Sequence, residues 1–139
     1  MERLIRFGVS MPERLLRKFD KYIRERKYGN RSEAIRDIVR EKFVEESWER
    51  GKGEEVGVIV IVYDHEVREL SARLNEIQHD NFGHIIASMH VHLDEHNCLE
   101  IITIRGFPDQ IKKTADALIS IKGVKHGRLV HSTTGKNLE

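Results

Sequence analysis

The segment HIIASMHVHLDEHNCLEIITIRGF, residues 84–107, holds two stretches of alternating apolar and polar residues on either side of a polar middle. A two-residue period is typical of β-strands, so the segment predicts an antiparallel hairpin. A turn at residues 94–96 keeps apolar residues opposite apolar ones and pairs Val91 with Leu99. A slip of one residue would bury Glu100, which favours this register.

The middle of the hairpin, HVHLDEHNC at residues 90–98, contains three of the eight histidines and the only cysteine. The predicted register sets His92 opposite Cys98, where cross-strand Cβ atoms are about 5 Å apart, and His90 lies on the same face. Two imidazoles and a thiolate favour a metal site, although histidine alternation alone is typical of a polar hairpin tip. These donors suit zinc, copper or nickel. The candidates for a fourth ligand are His79, His65, His84 and His126.

Elements on either side of the hairpin complete a known order. Apolar runs predict strands at residues 55–64 and 124–132, and helical spacing predicts helices at residues 65–80 and 107–123. The order strand, helix, strand, strand, helix, strand is that of an α+β, ferredoxin-like (ACT-like) βαββαβ domain. Such a fold covers one sheet face with helices and leaves the other face free for a partner.

The N-terminal piece predicts one strand and two helices, a β-α-α order. RLIRFGVSM, residues 3–11, alternates like a strand. Ser10 followed by Glu13 has the spacing of a capping box that begins a helix, and Gly29 is placed to end that helix. Ser32 is the predicted N-cap of the second helix.

A lone strand leaves both of its edges unpaired, and pairing with the same strand of a second chain would make a two-stranded ribbon. The polar face of that ribbon carries Arg6, Gly8 and Ser10 and fits the major groove of B-DNA. The start of the second helix, with Arg31 and Ser32, is expected to hold a phosphate. These five residues are the predicted DNA contacts.

Charge is divided unequally along the chain. Residues 1–44 carry 13 Lys and Arg against 7 Asp and Glu, net +6, whereas residues 45–139 carry 11 against 16, net −5. A basic piece on an acidic remainder suits nucleic-acid binding. We expect a DNA-binding and dimerisation domain at residues 1–50, a linker at 51–55 and a ferredoxin-like metal-binding domain at 56–139. No apolar run approaches the roughly 20 residues that cross a bilayer, so a soluble, cytoplasmic protein is expected.

Residues 3–45 resemble the ribbon-helix-helix family of DNA-binding proteins, and nearly the whole chain resembles the nickel-responsive transcriptional regulators, the NikR repressors. The resemblance rests on NRSEAIRD from residue 30, IQHD from 77, HVH from 90 and CLEI from 98. It implies a nickel-dependent repressor, not an enzyme, that binds a dyad-symmetric double-stranded DNA operator. It also implies a homotetramer, a dimer of dimers, with no membrane partner and no small-molecule substrate.

Carried over by position, the family's square-planar Ni(II) site falls on His90, His92 and Cys98 of one subunit, with His79 from a neighbouring subunit. Glu100 would lie beside these ligands without binding the metal. Gly8 departs from the larger polar side chain that is usual at this position in the family, and the departure concerns which bases are read.

Three other functions compete with this interpretation. They are a DNA-binding regulator that senses a small molecule or another metal, a metalloenzyme with Glu100 as general base, and a nickel-storage protein. The enzyme requires an open coordination position, which four protein ligands in a square plane do not leave. The basic N-terminal piece argues against storage alone. The remaining histidines, at positions 65, 84, 96, 126 and 131, could form secondary metal sites or none.

Overall fold

In a computed structural model, residues 2–67, 69–81 and 84–138 of the chain are described. Contacts divide the chain into two compact units. The first runs through Phe43 and includes the C-terminal segment from Gly135, and the second is Val44–Thr134. None of the described helices is long and apolar enough to cross a membrane.

The first helix, α1, spans Glu13–Glu25 and begins directly after Pro12. The Pro12 carbonyl accepts the N–H groups of the second and third residues beyond Glu13, at 3.0 Å each. Pro12 itself has φ −56° and ψ 139°, an extended conformation, so helical geometry starts only at the next residue. The predicted N-cap at Ser10 is therefore wrong by two residues.

The end of α1 is a left-handed turn at Lys27, whose φ is 60°. The N–H of Tyr28 donates to the carbonyl of Ile23 at 3.1 Å, the hydrogen bond that closes many helix ends. The predicted stop at Gly29 is wrong because Lys27 adopts the conformation that a glycine usually supplies.

The second helix, α2, spans Arg31–Arg50. Its first turn is capped by Asn30, whose Oδ1 accepts the N–H of Glu33 at 2.9 Å. The Glu33 carboxylate in turn accepts the N–H of Gly29 at 3.0 Å. The predicted N-cap Ser32 is therefore wrong, because Asn30 caps first and Ser32 lies inside the first turn.

Residues 2–12 precede α1 and are neither helix nor strand. Strand hydrogen bonds require a neighbouring strand, and in the described part of a single chain none pairs with this segment. Its apolar side chains are exposed, Ile5 at 80% and Phe7 at 74%. The predicted ribbon strand is thus not formed by one chain alone, as expected for an element that needs a second copy.

The second unit contains a four-stranded antiparallel sheet with strand order β2-β3-β1-β4. Its elements are β1 Glu55–Asp64, α3 Leu70–Asp80, β2 Ile85–His92, β3 Asn97–Gly106, α4 Pro108–Ile119 and β4 Val124–His131. This order confirms the ferredoxin-like prediction. Helix α3 begins later than predicted because residues 65–67 form turns, and residue 68 lies outside the described residues.

The two sheet faces differ in burial. The helix-covered face carries the fully buried residues Ile59, Ile61, Ile102 and Ile104. On the opposite face Met89 is 60% exposed. Glu100 lies on the covered face and is only 7% exposed. The predicted register is correct, but the expectation that it spares Glu100 from burial is wrong, because neighbouring side chains supply hydrogen bonds to that carboxylate.

Trp48 anchors the last turns of α2 within the second unit. Its indole N–H donates to the Ser132 carbonyl at 2.8 Å, and its ring stacks on His131 with ring centroids 4.0 Å apart. Partial burial lowers the pKa of His131, and the charge of Lys112 lowers it further. Trp48 is therefore buried between its own helix and the C-terminal end of β4.

Candidate metal centre and nucleic-acid interface

The β2–β3 hairpin has the predicted register, with His92 opposite Cys98 and His90 opposite Glu100. The turn is closed by Asp94, whose carboxylate accepts the N–H groups of the second and third residues after it, at 2.9 and 2.8 Å. Hydrogen bonds from the side chain and backbone of residue 97 lower the pKa of Asp94 to about 2. The hairpin tip is thus a rigid turn that fixes the donors on both strands.

Cys98 lies at the centre of a three-donor cluster. Its Sγ is 3.3 Å from Nδ1 of His65 and 3.5 Å from Nδ1 of His92. Among the described residues, these three form the group whose ligand atoms all lie within 4.8 Å of one another. His65 was predicted only as one possible fourth ligand. It reaches Cys98 because the turn after β1 is fastened to the hairpin, with the His65 N–H donating to the His96 carbonyl at 3.1 Å.

His90 is close to this cluster but is engaged elsewhere. Its ring centroid is 5.0 Å from that of His92, and its Nδ1 is 3.0 Å from the Tyr63 hydroxyl. The Tyr63 hydroxyl donates to Glu100 Oε2 at 3.2 Å, so its oxygen is left to accept from the N–H at Nδ1 of His90. That tautomer leaves Nε2 of His90 as the nitrogen that can bind a metal.

Glu100 is held by hydrogen bonds at both of its oxygens. Oε1 accepts from Gln78 Nε2 at 2.8 Å, and Oε2 accepts from the Tyr63 hydroxyl. Burial, followed by the Glu100 charge, raises the pKa of Tyr63 well above its usual range. Tyr63 and Gln78 are absent from the residues predicted above, although Tyr63 precedes the end of an apolar strand that pairs with the Cys98 strand.

The thiol of Cys98 is fully buried. Burial raises its pKa, and three nearby carboxylates raise it further, those of Asp64, Asp94 and Glu100. Without a metal the sulfur is therefore a protonated thiol, and a bound cation would displace that proton. Imidazole nitrogens and one thiolate sulfur are donors that suit Ni(II), so the residues present fit that ion.

The other histidines lie apart from this cluster. His79 is exposed in the last turn of α3, where a second subunit could reach it. Nε2 of His84 is 2.7 Å from Gln110 Nε2. His126 pairs opposite Val62, on the sheet face that faces away from Cys98. Within one chain, then, neither His79 nor His126 joins the three donors.

Comparison with known proteins agrees with this arrangement. Residues 56–132 match the family described as "NikR C terminal nickel binding domain", and residues 5–46 match the family "Ribbon-helix-helix protein, copG family". The chain belongs to the nickel-responsive regulator family. Nickel is therefore its metal ligand, and the predicted order of a ribbon-helix-helix piece before a metal-binding piece is confirmed.

Relatives of this nickel-responsive regulator match it over its length and carry the name "Putative nickel-responsive regulator". One from Geobacter sulfurreducens is 54% identical over 99% of both chains. One from Thermococcus onnurineus is 52% identical over 98% of this chain and 99% of its own. One from Caldanaerobacter subterraneus subsp. tengcongensis is 51% identical over 99% of this chain and 90% of its own. These names confirm a regulator instead of an enzyme.

A solved structure supports the fold alone. The uncharacterized protein TM1266 from Thermotoga maritima superposes with a TM-score of 0.51 and 18% identity, covering 56% of the regulator and 96% of its own chain. At this identity the likeness shows shared architecture and carries nothing about ligands.

The predicted DNA contacts of the nickel-responsive regulator lie in two places. Arg6, Gly8 and Ser10 are exposed in the segment before α1, and Ser32 is exposed in the first turn of α2. Arg31 is engaged within its own chain, because its guanidinium donates to both carboxylate oxygens of Asp20, at 2.8 and 2.9 Å. That hydrogen bond lowers the pKa of Asp20, a partner that the helical pattern of α1 did not reveal.

Proposed function

We propose that this nickel-responsive regulator is a repressor that binds a dyad-symmetric DNA operator when Ni(II) occupies a site shared by two subunits. The observation that carries the proposal is the separation of His79 from the hairpin donors. His90, His92 and Cys98 share one face of a fixed hairpin, whereas His79 is exposed at the end of α3. A site that uses all four donors needs His79 of a second chain.

Nickel would be held by Nε2 of His90, by His92, by Cys98 and by His79 of the second subunit. When bound, the ion supplies a link between chains that no side chain provides. Tyr63 and Glu100 hold His90 in the tautomer that leaves Nε2 free. Glu100 thus orients the site without binding the metal, as proposed for it from the sequence.

DNA would be read by a ribbon made from residues 3–11 of two chains. The support is the exposure of the apolar residues in this segment, which line a groove of about 760 Å³ together with Leu16, Phe19 and Ile35. Pairing two copies would bury these side chains and turn Arg6, Gly8 and Ser10 towards the major groove. Ser32 and the first amides of α2, with Arg31, would hold the DNA backbone.

The metal-binding units would associate through the open sheet face into a homotetramer, a dimer of dimers acting in the cytoplasm. The support is the apolar character of that face, where Met89 and Val130 stay exposed in one chain. A surface of this kind is uncommon on a monomer. Two ribbons on one core predict half-sites separated by whole helical turns of DNA.

The regulatory step would be a shift between arrangements of the two ribbons. A change from mostly incompetent to mostly competent protein requires a preference of about 10⁴, or roughly 5.5 kcal/mol, of nickel for the competent form. Binding free energies are reciprocal, so operator DNA would tighten nickel binding by the same factor.

The test is selection of bound fragments from sheared genomic DNA, with Ni(II) in one arm and a chelator in the other. Enrichment of one dyad-symmetric site only with nickel is expected. His79→Ala, which removes the donor of the second subunit, should lose that enrichment, whereas His126→Ala, on the other sheet face, should keep it. Equal enrichment in both arms would show that the metal is structural, and no enrichment would contradict the repressor proposal.

A further inference from the structure

We infer that His65, His92 and Cys98 of one chain form an alternative site for a tetrahedral divalent cation, Zn(II), that excludes the nickel ligand set. This inference rests on the proposed function, because it concerns which cations complete the shared site. His92 and Cys98 belong to both ligand sets, so the two sets cannot be filled at once. The difference lies in His65, which replaces His90 and His79 of the second chain.

The donor separations fit a tetrahedral ion. With bonds of about 2.3 Å to sulfur and about 2.05 Å to nitrogen, a tetrahedral angle places the two donor atoms about 3.6 Å apart, and a right angle about 3.1 Å apart. The observed Sγ to Nδ1 separations are 3.3 Å for His65 and 3.5 Å for His92. Both exceed the right-angle value, and small shifts bring them to the tetrahedral one.

The third donor is held in place before any metal arrives. His65 is half-buried, and its backbone N–H is bonded to the hairpin tip at His96. The His65 and His92 rings meet nearly edge to face, with an interplanar angle of 87°. His90, by contrast, has Nδ1 turned to Tyr63. In one chain, therefore, His65 and not His90 is the nearer partner for the thiolate.

The fourth position would be filled by water, because His92 is exposed on the edge strand β2 and opens the cluster to solvent. Three protein ligands and one water are a common zinc arrangement. All protein donors of this site come from one chain, so a zinc ion held there adds no link to His79 of another subunit. Zinc would bind tightly without favouring the DNA-competent form, and the regulator would distinguish the two ions by geometry.

The test compares zinc and nickel affinities of the reduced, metal-free full-length protein by competition with a chromophoric chelator. Loss of a group that merely orients a ligand costs about 10- to 100-fold, so loss of a ligand should cost more than about tenfold. His65→Ala should weaken zinc by that factor and leave nickel nearly unchanged. His79→Ala should do the reverse. The matched control is His96→Ala, whose imidazole contacts Glu66 and should matter to neither ion.

Each outcome separates the two proposals. Unchanged zinc affinity in His65→Ala, or an equal loss of both metals in His79→Ala, would overturn the alternative site. Unchanged nickel affinity in His79→Ala would instead remove the shared nickel site, whatever zinc does.

A gain of signal guards against a folding defect. His65→Cys places a second thiolate at the site, and Co(II) can replace Zn(II) as a coloured probe. The variant should bind Co(II) with added thiolate-to-metal charge-transfer absorption and with the d–d bands of a tetrahedral ion. An absorption spectrum with a single thiolate contribution would show that residue 65 does not bind the metal.

Discussion

At the scale of single residues, Tyr63 has the largest effect on the metal site among residues that do not bind metal. Its hydroxyl joins His90 to the buried Glu100 carboxylate. Without it, His90 is free to change tautomer and the carboxylate loses one donor. We therefore expect Tyr63→Phe to weaken nickel binding by about tenfold or more. Chelator competition measures the change.

The control for this variant is Tyr28→Phe, which removes a hydroxyl from the first unit. It should leave nickel affinity unchanged. If Tyr63→Phe also bound nickel like the original protein, the hydroxyl would have no part in orienting His90.

The Cys98 thiol predicts a pH dependence. Its pKa is raised, so the sulfur stays protonated through neutral pH. Because the metal binds the thiolate, one proton must leave for each ion bound, and apparent nickel affinity should rise about tenfold per pH unit between about pH 7 and 8. Below the usual histidine pKa, competing imidazole protons should steepen the slope. Titration in two buffers of different ionisation enthalpy counts the protons released, and a count near zero would contradict thiolate binding.

At the scale of elements, the strands agree with the sequence more closely than the helix ends do. Strand β1 was predicted at residues 55–64 and is observed at Glu55–Asp64, because an unbroken apolar run can be buried only as a whole. Helix starts depend on competition between adjacent polar residues. Asn30 and Ser32 can both cap a helix, and the preceding left-handed turn at Lys27 decides in favour of Asn30.

The candidate site shows the same limit. The hairpin register could be predicted from alternation, and it correctly placed His92 beside Cys98. His65 could not be placed, because residues 65–67 follow helical spacing yet form turns. The decisive contact is a hydrogen bond from that turn to His96, distant in sequence. No local pattern records such a contact.

The packing of helix α4 on strand β4 depends on Gly127. A Cβ at this position would lie 2.5 Å from Cγ1 of Ile119, so alanine would force the helix and strand apart. Overpacking of this kind costs about 1–3 kcal/mol. We expect Gly127→Ala to lower the free energy of unfolding by that amount in urea denaturation followed by circular dichroism. Gly53→Ala, with open space around its Cβ, is the matched control.

At the scale of the whole molecule, the basic first piece and acidic remainder favour DNA binding that weakens steeply with salt. Within that general attraction, Arg6 on the ribbon would read bases. Arg6→Ala should reduce the preference for the operator over unrelated DNA by about tenfold to a hundredfold and leave nickel affinity intact. Binding assays with both DNAs measure the ratio.

Arg17→Ala is the control for Arg6→Ala because it removes the same charge from the exposed surface of α1, where Arg17 pairs with Glu13. It should weaken binding to both DNAs alike. Equal ratios in the two variants would show that Arg6 contributes only charge.

Trp48 offers a way to follow the two units separately. It is the only tryptophan in the chain, and it is buried inside the second unit against His131. Its intrinsic fluorescence therefore reports on that unit and is silent about loss of order in the first. A protonated imidazole quenches a stacked indole, so emission should fall as His131 is protonated, below the usual histidine pH range. The chain thus carries its own optical label for the metal-binding unit.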